Sequence, residues 1–199
     1  MQRIGIYAGV FDPVHSGHIS FALQSLNDTN LNEVYFLPER KPLHKPGAEH
    51  YGHRVAMLRQ AIKPYDKLAL AEVVERQFSV KKTLRRLEKT FSGSTLVLLV
   101  GADVFVRIPE WDDVDTLAKK VEFVVSVRSH DELKAVLATI THLHIPSSSI
   151  RIVDSPRPEV SSTNMRYAIR RNKYVEGMLM SVVKYAKREW LYASVRQNV

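Results

Sequence analysis

The chain has 199 residues, 45% of them hydrophobic and 25% charged, enough for one compact α/β domain with a real core and too few for two well-developed ones. It contains no cysteine, which excludes disulfides, thiol nucleophiles and Cys-based zinc sites and suits a reducing compartment. A formal charge of +8 and a pI of about 9.7 admit nucleic acid, a membrane surface or small anionic substrates as partners, and composition alone does not choose among them.

The run Ile4-Gly5-Ile6-Tyr7-Ala8 is short, apolar and β-compatible, and a helical period opens after His18 at Ile19, Ala22, Leu23 and Leu26. Glu33 to Leu37 forms the second expected strand. A loop from Pro38 to Gly47, with three prolines, precedes a helix over Tyr51 to Ile62. Leu68 to Val73 is the third expected strand, and Ser79 to Phe91 a helix that turns Leu84 and Leu87 inward. Thr95 to Val100 is the most apolar strand and ends at Gly101, and Val121 to Val127 is the fifth. Ser129-His130-Asp131-Glu132 has the spacing of a capping box ahead of a helix through Thr139. Ile150 to Val153 is a last short strand, and two C-terminal helices follow. This alternation predicts a parallel sheet covered on both faces. No apolar run approaches membrane length, and Met1-Gln2-Arg3 leads directly into a strand instead of a signal peptide, so a cytoplasmic protein is expected.

The segment Gly9-Val10-Phe11-Asp12-Pro13-Val14-His15-Ser16-Gly17-His18 joins the first strand to the first helix. Gly9 and Gly17 let backbone approach a ligand, and the free N–H groups of the first helical turn favour an anion. His15 and His18 would stand in that turn, where the helix dipole disfavours an imidazolium unless a negative group compensates it. A second group, Ser161-Ser162-Thr163-Asn164-Met165-Arg166, places capping hydroxyls before a helix and a cation in its first turn, again poised for an anion. The remaining basic residues, including Lys81-Lys82, Arg170-Arg171 and Lys184 to Arg188, are mixed with acids and lack the aromatic interleaving that stacks bases, so they are read as solvated helix faces.

The Gly-x-Phe-Asp-Pro-x-His-x-Gly-His segment resembles the signature of the nucleotidyltransferase superfamily with a His-x-Gly-His motif, and most closely the bacterial nicotinate mononucleotide adenylyltransferase family. That resemblance implies a single nucleotidyltransferase domain over residues 1–199, with a Rossmann-like doubly wound parallel sheet in the order 3-2-1-4-5 and C-terminal helices. It implies transfer of AMP from ATP to nicotinate mononucleotide, giving deamido-NAD and pyrophosphate in NAD biosynthesis. Mg²⁺ would arrive carried by ATP, with no dedicated protein metal site. His15, His18 and Arg166 would be catalytic. Gly9, Val10, Phe11, Gly17, Gly101, Asp103, Arg128, Ser161, Ser162 and Thr163 would bind ATP, and His44, Lys45, Thr83 and Trp111 the mononucleotide.

Four places depart from the family pattern. Val10 stands where Thr or Ser is usual, Phe78-Ser79-Val80-Lys81-Lys82 replaces most of a Ser-Tyr-Thr segment, Asp112 replaces an aromatic residue after Trp111, and Tyr174-Val175-Glu176 replaces a Tyr-Val-Pro pattern. The alternatives are nicotinamide mononucleotide or another phosphorylated acceptor, or a non-catalytic relative that binds nucleic acid. The expected reading has ATP and nicotinate mononucleotide as partners, with no membrane or nucleic acid, and leaves a homo-oligomer open.

Overall fold

The computed structural model describes residues 1–42, 45–71, 75 and 78–193. Six parallel strands lie in the order β3-β2-β1-β4-β5-β6: β1 Arg3–Gly9, β2 Glu33–Pro38, β3 Leu68–Leu70, β4 Thr95–Gly101, β5 Glu122–Val127 and β6 Ile150–Asp154. The sheet therefore has the expected order, and the last short strand extends it beyond β5. The direction in which successive strands are added reverses between β1 and β4, which pair in parallel with Tyr7 opposite Leu99.

The central strands β1, β2, β4 and β5 are covered on both sides, and alternate residues feed two separate cores. Tyr7, Val34, Phe36, Val97, Leu99 and Val124 face one core with residues of α1 (Ser16–Asp28), α2 (Tyr51–Ile62), α7 (Ser162–Arg170) and α8 (Met180–Arg188). Ile4, Ile6, Leu98, Val100, Phe123 and Val125 face the other. There they meet α3 (Arg85–Thr90), α4 (Ala102–Phe105), α5 (Val114–Lys120) and α6 (His130–His142). Among the described residues no helix is long and apolar enough to cross a membrane.

Local chemistry explains most boundaries. Ser129 accepts from Glu132 N–H at 3.2 Å, and the Glu132 carboxylate accepts in return from Arg128 N–H at 2.6 Å, so the capping pair reaches one residue further back than its simple form. The helix expected over Ser79 to Phe91 opens instead as a π turn at Val80–Leu84 before becoming α3. The third strand stops at Leu70, short of the expected Val73, which lies outside the described residues. The short helix α5 was not expected, because within it only Leu117 is deeply buried and seven residues give too little period to read.

Arg54 on α2 is 1% exposed, the largest fully buried side chain. Its guanidinium donates to four carbonyls: Glu49 O at 2.9 Å, Val10 O at 2.7 Å, Glu39 O at 2.6 Å and Arg40 O at 3.3 Å. It thereby joins the loop after β1 to the loop after β2. Replacing it with an apolar chain of similar length strands those carbonyls. Arg54→Met should lose about 3–5 kcal/mol of stability in urea unfolding, and a loss below about 1 kcal/mol would show that the carbonyls find other donors.

Candidate active site

The central strands end side by side at glycines. Gly9 follows Tyr7 by two residues, Gly101 follows Leu99 by two, and Gly101 lies opposite Ser126 on β5. A Cβ on Gly9 would meet the buried Phe11 ring at 2.9 Å, and one on Gly101 would displace the exposed Asp103 carboxylate, whose Oδ1 lies 2.6 Å from that position. The crevice beyond these tips is where a doubly wound sheet receives ligands.

The backbone after Gly9 turns sharply. Phe11 adopts φ 53°, in the left-handed region, and drives its ring into the core against Tyr7 (centroids 5.2 Å apart), Phe36 (5.3 Å) and the edge of His18 (5.1 Å). Phe11 is thus an anchor of the loop, 2% exposed, while Val10 contributes its carbonyl to Arg54. His15 stands as the N-cap of α1 and His18 in its first turn. The two imidazoles are stacked, with centroids 3.7 Å apart and planes tilted by 30°. Gly17 makes room for this stack, since a Cβ there would lie 3.1 Å from the His15 ring.

Hydrogen bonding assigns the proton on one ring. His18 Nδ1 accepts from His15 N–H at 3.2 Å, so a neutral His18 carries its hydrogen on Nε2. His15 is buried, and its Nδ1 has no protein partner. Burial pushes the His15 pKa down to about 3, helped by the nearby charges of Arg128 and Lys45. His18 is held well below the usual histidine range by burial first, then by His15, Lys45 and Arg128. Both rings are therefore neutral donors at pH 7, surrounded by cations rather than being cations themselves.

The second expected group arrives from α7. Ser161 caps the helix by accepting from Asn164 N–H at 3.2 Å, which leaves its own hydroxyl proton available. Ser162 Oγ donates to Pro13 O at 3.0 Å, so its hydroxyl serves the loop and its backbone N–H is what the first turn offers an anion. Arg166 donates from Nη1 to Asp12 O at 2.7 Å and from Nη2 to Thr163 Oγ1 at 3.2 Å. One edge of the guanidinium is fixed, and further N–H groups remain. The structure thus brings α7 directly against the β1–α1 loop.

Asp103 and Arg128 are exposed at the tips of β4 and β5. Asp103 helps raise the buried Tyr7 hydroxyl above its ordinary range, after burial itself, and Arg128 opposes it. Lys45 is exposed, and its charge reaches both histidines. His44 lies outside the described residues. Thr83 and Trp111 belong to the other core face. Thr83 is fully buried and its Oγ1 accepts from Ser79 N–H at 3.0 Å, so its side chain holds the π turn instead of facing a ligand. Trp111 is half-buried with its ring 5.4 Å from Phe78, and Lys81 pairs with Asp113 at 3.2 Å, which ties this turn to the Trp111 segment.

Three further residues shape the site. Arg54 falls on the inward period of α2 with Leu58, Ala61 and Ile62, and its segment His53-Arg54-Val55-Ala56-Met57 also resembles the family's helix at this place. Glu49 and Tyr192 hold Asp12, whose carboxylate accepts from Tyr192 Oη at 2.7 Å and from Glu49 N–H at 3.3 Å.

Residues 6–168 match the family described as cytidylyltransferase-like. The nicotinate-nucleotide adenylyltransferase of Bacillus subtilis is 31% identical over 98% of this chain and 100% of its own length. The probable nicotinate-nucleotide adenylyltransferase of Moorella thermoacetica is 28% identical over 96% of this chain and 91% of its own. Among solved structures, Plasmodium falciparum nicotinic acid mononucleotide adenylyltransferase complexed with NaAD superposes with a TM-score of 0.77 at 18% identity, over 96% of this chain and 98% of that one, a likeness of fold. With most of its length matched by the family and a full-length relative above 30% identity, the chain belongs to the cytidylyltransferase-like family and to the nicotinate-nucleotide adenylyltransferases.

Proposed function

We propose that the chain transfers the adenylyl group of ATP to nicotinate mononucleotide, releasing pyrophosphate and forming deamido-NAD. One observation carries the site assignment: two stacked neutral imidazoles, one with an unpartnered buried nitrogen, stand at a helix N-terminus above the sheet's switch point among Lys45, Arg128 and Arg166. A buried polar atom without a partner is costly unless a ligand completes it. A polyphosphate supplies acceptors for every donor in that group.

The acceptor phosphate, with a second pKa of about 6, is mostly dianionic at neutral pH and needs no general base. One of its oxygens bonds to the α-phosphorus of ATP as the bond to the β-phosphate bridging oxygen breaks, and the electron pair leaves with pyrophosphate. The protein's task is alignment and stabilisation of charge growing on the α-phosphoryl oxygens and the leaving group. We assign His18 Nε2–H to the α- and β-phosphate region and His15 to the phosphate chain. Ser161, the first-turn N–H groups of α7, Thr163 and Arg166 take the β- and γ-phosphates. Among the described residues, no group of three or more His, Asp or Glu side chains is placed to hold a metal ion. Mg²⁺ enters this reading as part of the nucleotide substrate, on the triphosphate oxygens. Lys45 and the Trp111–Phe78 face are assigned to the mononucleotide.

Pyrophosphate release from MgATP with nicotinate, nicotinamide and phosphopantetheine acceptors tests the substrate directly. Nicotinate mononucleotide should give the highest kcat/KM, and a higher value for either of the others would replace this acceptor. His18→Ala should cut kcat by about 10²–10³-fold with little change in unfolding midpoint, whereas unaltered turnover would remove His18 from the chemistry. Arg166→Ala should reduce kcat/KM for ATP far more than Lys184→Ala, and equal effects would mean that basic charge acts only diffusely.

The depressed histidines also set a stability trend. The folded state keeps His15 neutral down to about pH 3, while the unfolded chain binds that proton below about 6.5. Stability present above the unfolded value should therefore fall as pH drops through the window between them, by about 1.4 kcal/mol per unit for a ring that stays neutral. Urea unfolding at pH 7 and 4.5 should show a smaller acid loss in His15→Gln than in the unsubstituted chain. An identical loss would place the imidazole in contact with solvent.

A further inference from the structure

Through one residue, the C-terminal turn touches the β1–α1 loop, the segment ahead of α2 and helix α7. Tyr192 is 7% exposed. Its hydroxyl donates to Asp12 Oδ1 at 2.7 Å in the β1–α1 loop, its backbone N–H donates to Glu49 Oε1 at 3.3 Å ahead of α2, and its carbonyl accepts from Arg170 Nε at 3.1 Å on α7. Arg166, on the same helix, donates to the backbone oxygen of that same Asp12. Asp12 is therefore gripped twice, at its carbonyl by α7 and at its carboxylate by the C-terminal turn. The turn accepts strain to do so: Trp190 has φ 55° and Tyr192 φ 61°, a region costly for such side chains and maintained only where the surroundings over-determine it. Trp190 itself is 83% exposed, so burial of its neighbour, not of the turn as a whole, is what the strain secures.

We infer that Tyr192 is a positioning residue for ATP: by holding the Asp12 carboxylate it fixes the loop that orients His15 and the α7 clamp as one unit. This rests on the triphosphate reading of that loop. Asp12 precedes His15 by three residues, and its carbonyl sets one edge of Arg166, so release of its side chain loosens both phosphate-binding groups together. The nicotinate end of the substrate pair, near Trp111 on the other face of the sheet, has no bond to Tyr192.

The test uses the full chain with four variants: Tyr192→Phe, which keeps the buried ring and removes only the hydroxyl that reaches Asp12 and Met57 Sδ, Asp12→Asn, the two combined, and Trp190→Ala as a control in the same turn. Calorimetric titration with ATP should show about tenfold weaker binding for Tyr192→Phe, with KM for nicotinate mononucleotide within about twofold and Trp190→Ala unchanged. The combined variant should lose no more than the worse single one, because both act on the same Tyr192–Asp12 link. ATP affinity unaltered in Tyr192→Phe, an equal loss toward both substrates, or an equal loss in Trp190→Ala would overturn the assignment. In the unsubstituted chain, ATP should slow amide exchange at Tyr192, and exchange unchanged by ATP would overturn it without any variant. A chain that binds ATP but adenylylates none of the acceptors defeats the acceptor reading alone, since affinity and exchange still report on Tyr192.

Discussion

A loop can present N–H groups and imidazoles to a polyanion only if its own carbonyls are turned away and paired elsewhere. Here that constraint is met by guanidinium groups on the inner side of the loop. Arg54 takes Val10 O together with carbonyls from the neighbouring loop, and Arg166 takes Asp12 O. Ser162 takes Pro13 O. Three of the four residues after Gly9 (Val10, Asp12 and Pro13) thus have named carbonyl partners, and the fourth, Phe11, serves with its ring as the hydrophobic pin. Removing water from such a loop would otherwise cost several kcal/mol per unpaired group. With the carbonyls satisfied, the remaining polarity of the segment is that of donors.

The same economy of charge governs the histidines. An imidazolium at a helix N-terminus would be disfavoured by the dipole, and burial adds to that cost, so both rings stay neutral. Positive charge is delegated to Lys45 and Arg128 at the rim, where solvent bears most of the cost of ionisation. The stacked rings provide directed hydrogen bonds and the rim provides the field. Their separation lets the donors keep fixed geometry, which transition-state stabilisation requires.

Much of this architecture was readable in the chain. Alternating periods gave the parallel sheet, the Gly9 to His18 segment located the strand–helix junction, and Ser161 to Arg166 identified the partner helix. What periodicity could not reach were contacts between distant residues. Asp12 and Tyr192 are 180 positions apart, and nothing in the composition of the C-terminal turn ties it to the first loop. Ser162 and Thr83 were readable as polar residues in suggestive places, yet their hydroxyls serve Pro13 and Ser79. A hydroxyl's direction depends on the neighbour that folding brings to it. The sequence pattern also overlooked α5, which is too short to show a period.

Neutral, buried imidazoles change what mild acidification does to this protein. A site whose donors gain no charge between neutrality and about pH 5 leaves the acid side of a rate profile to its substrates, where the acceptor phosphate with a second pKa of about 6 gains a proton and weakens as a nucleophile. The acid limb of the rate profile then follows the ionic chemistry of what the site binds, while the same neutral rings make acid felt in the stability of the fold.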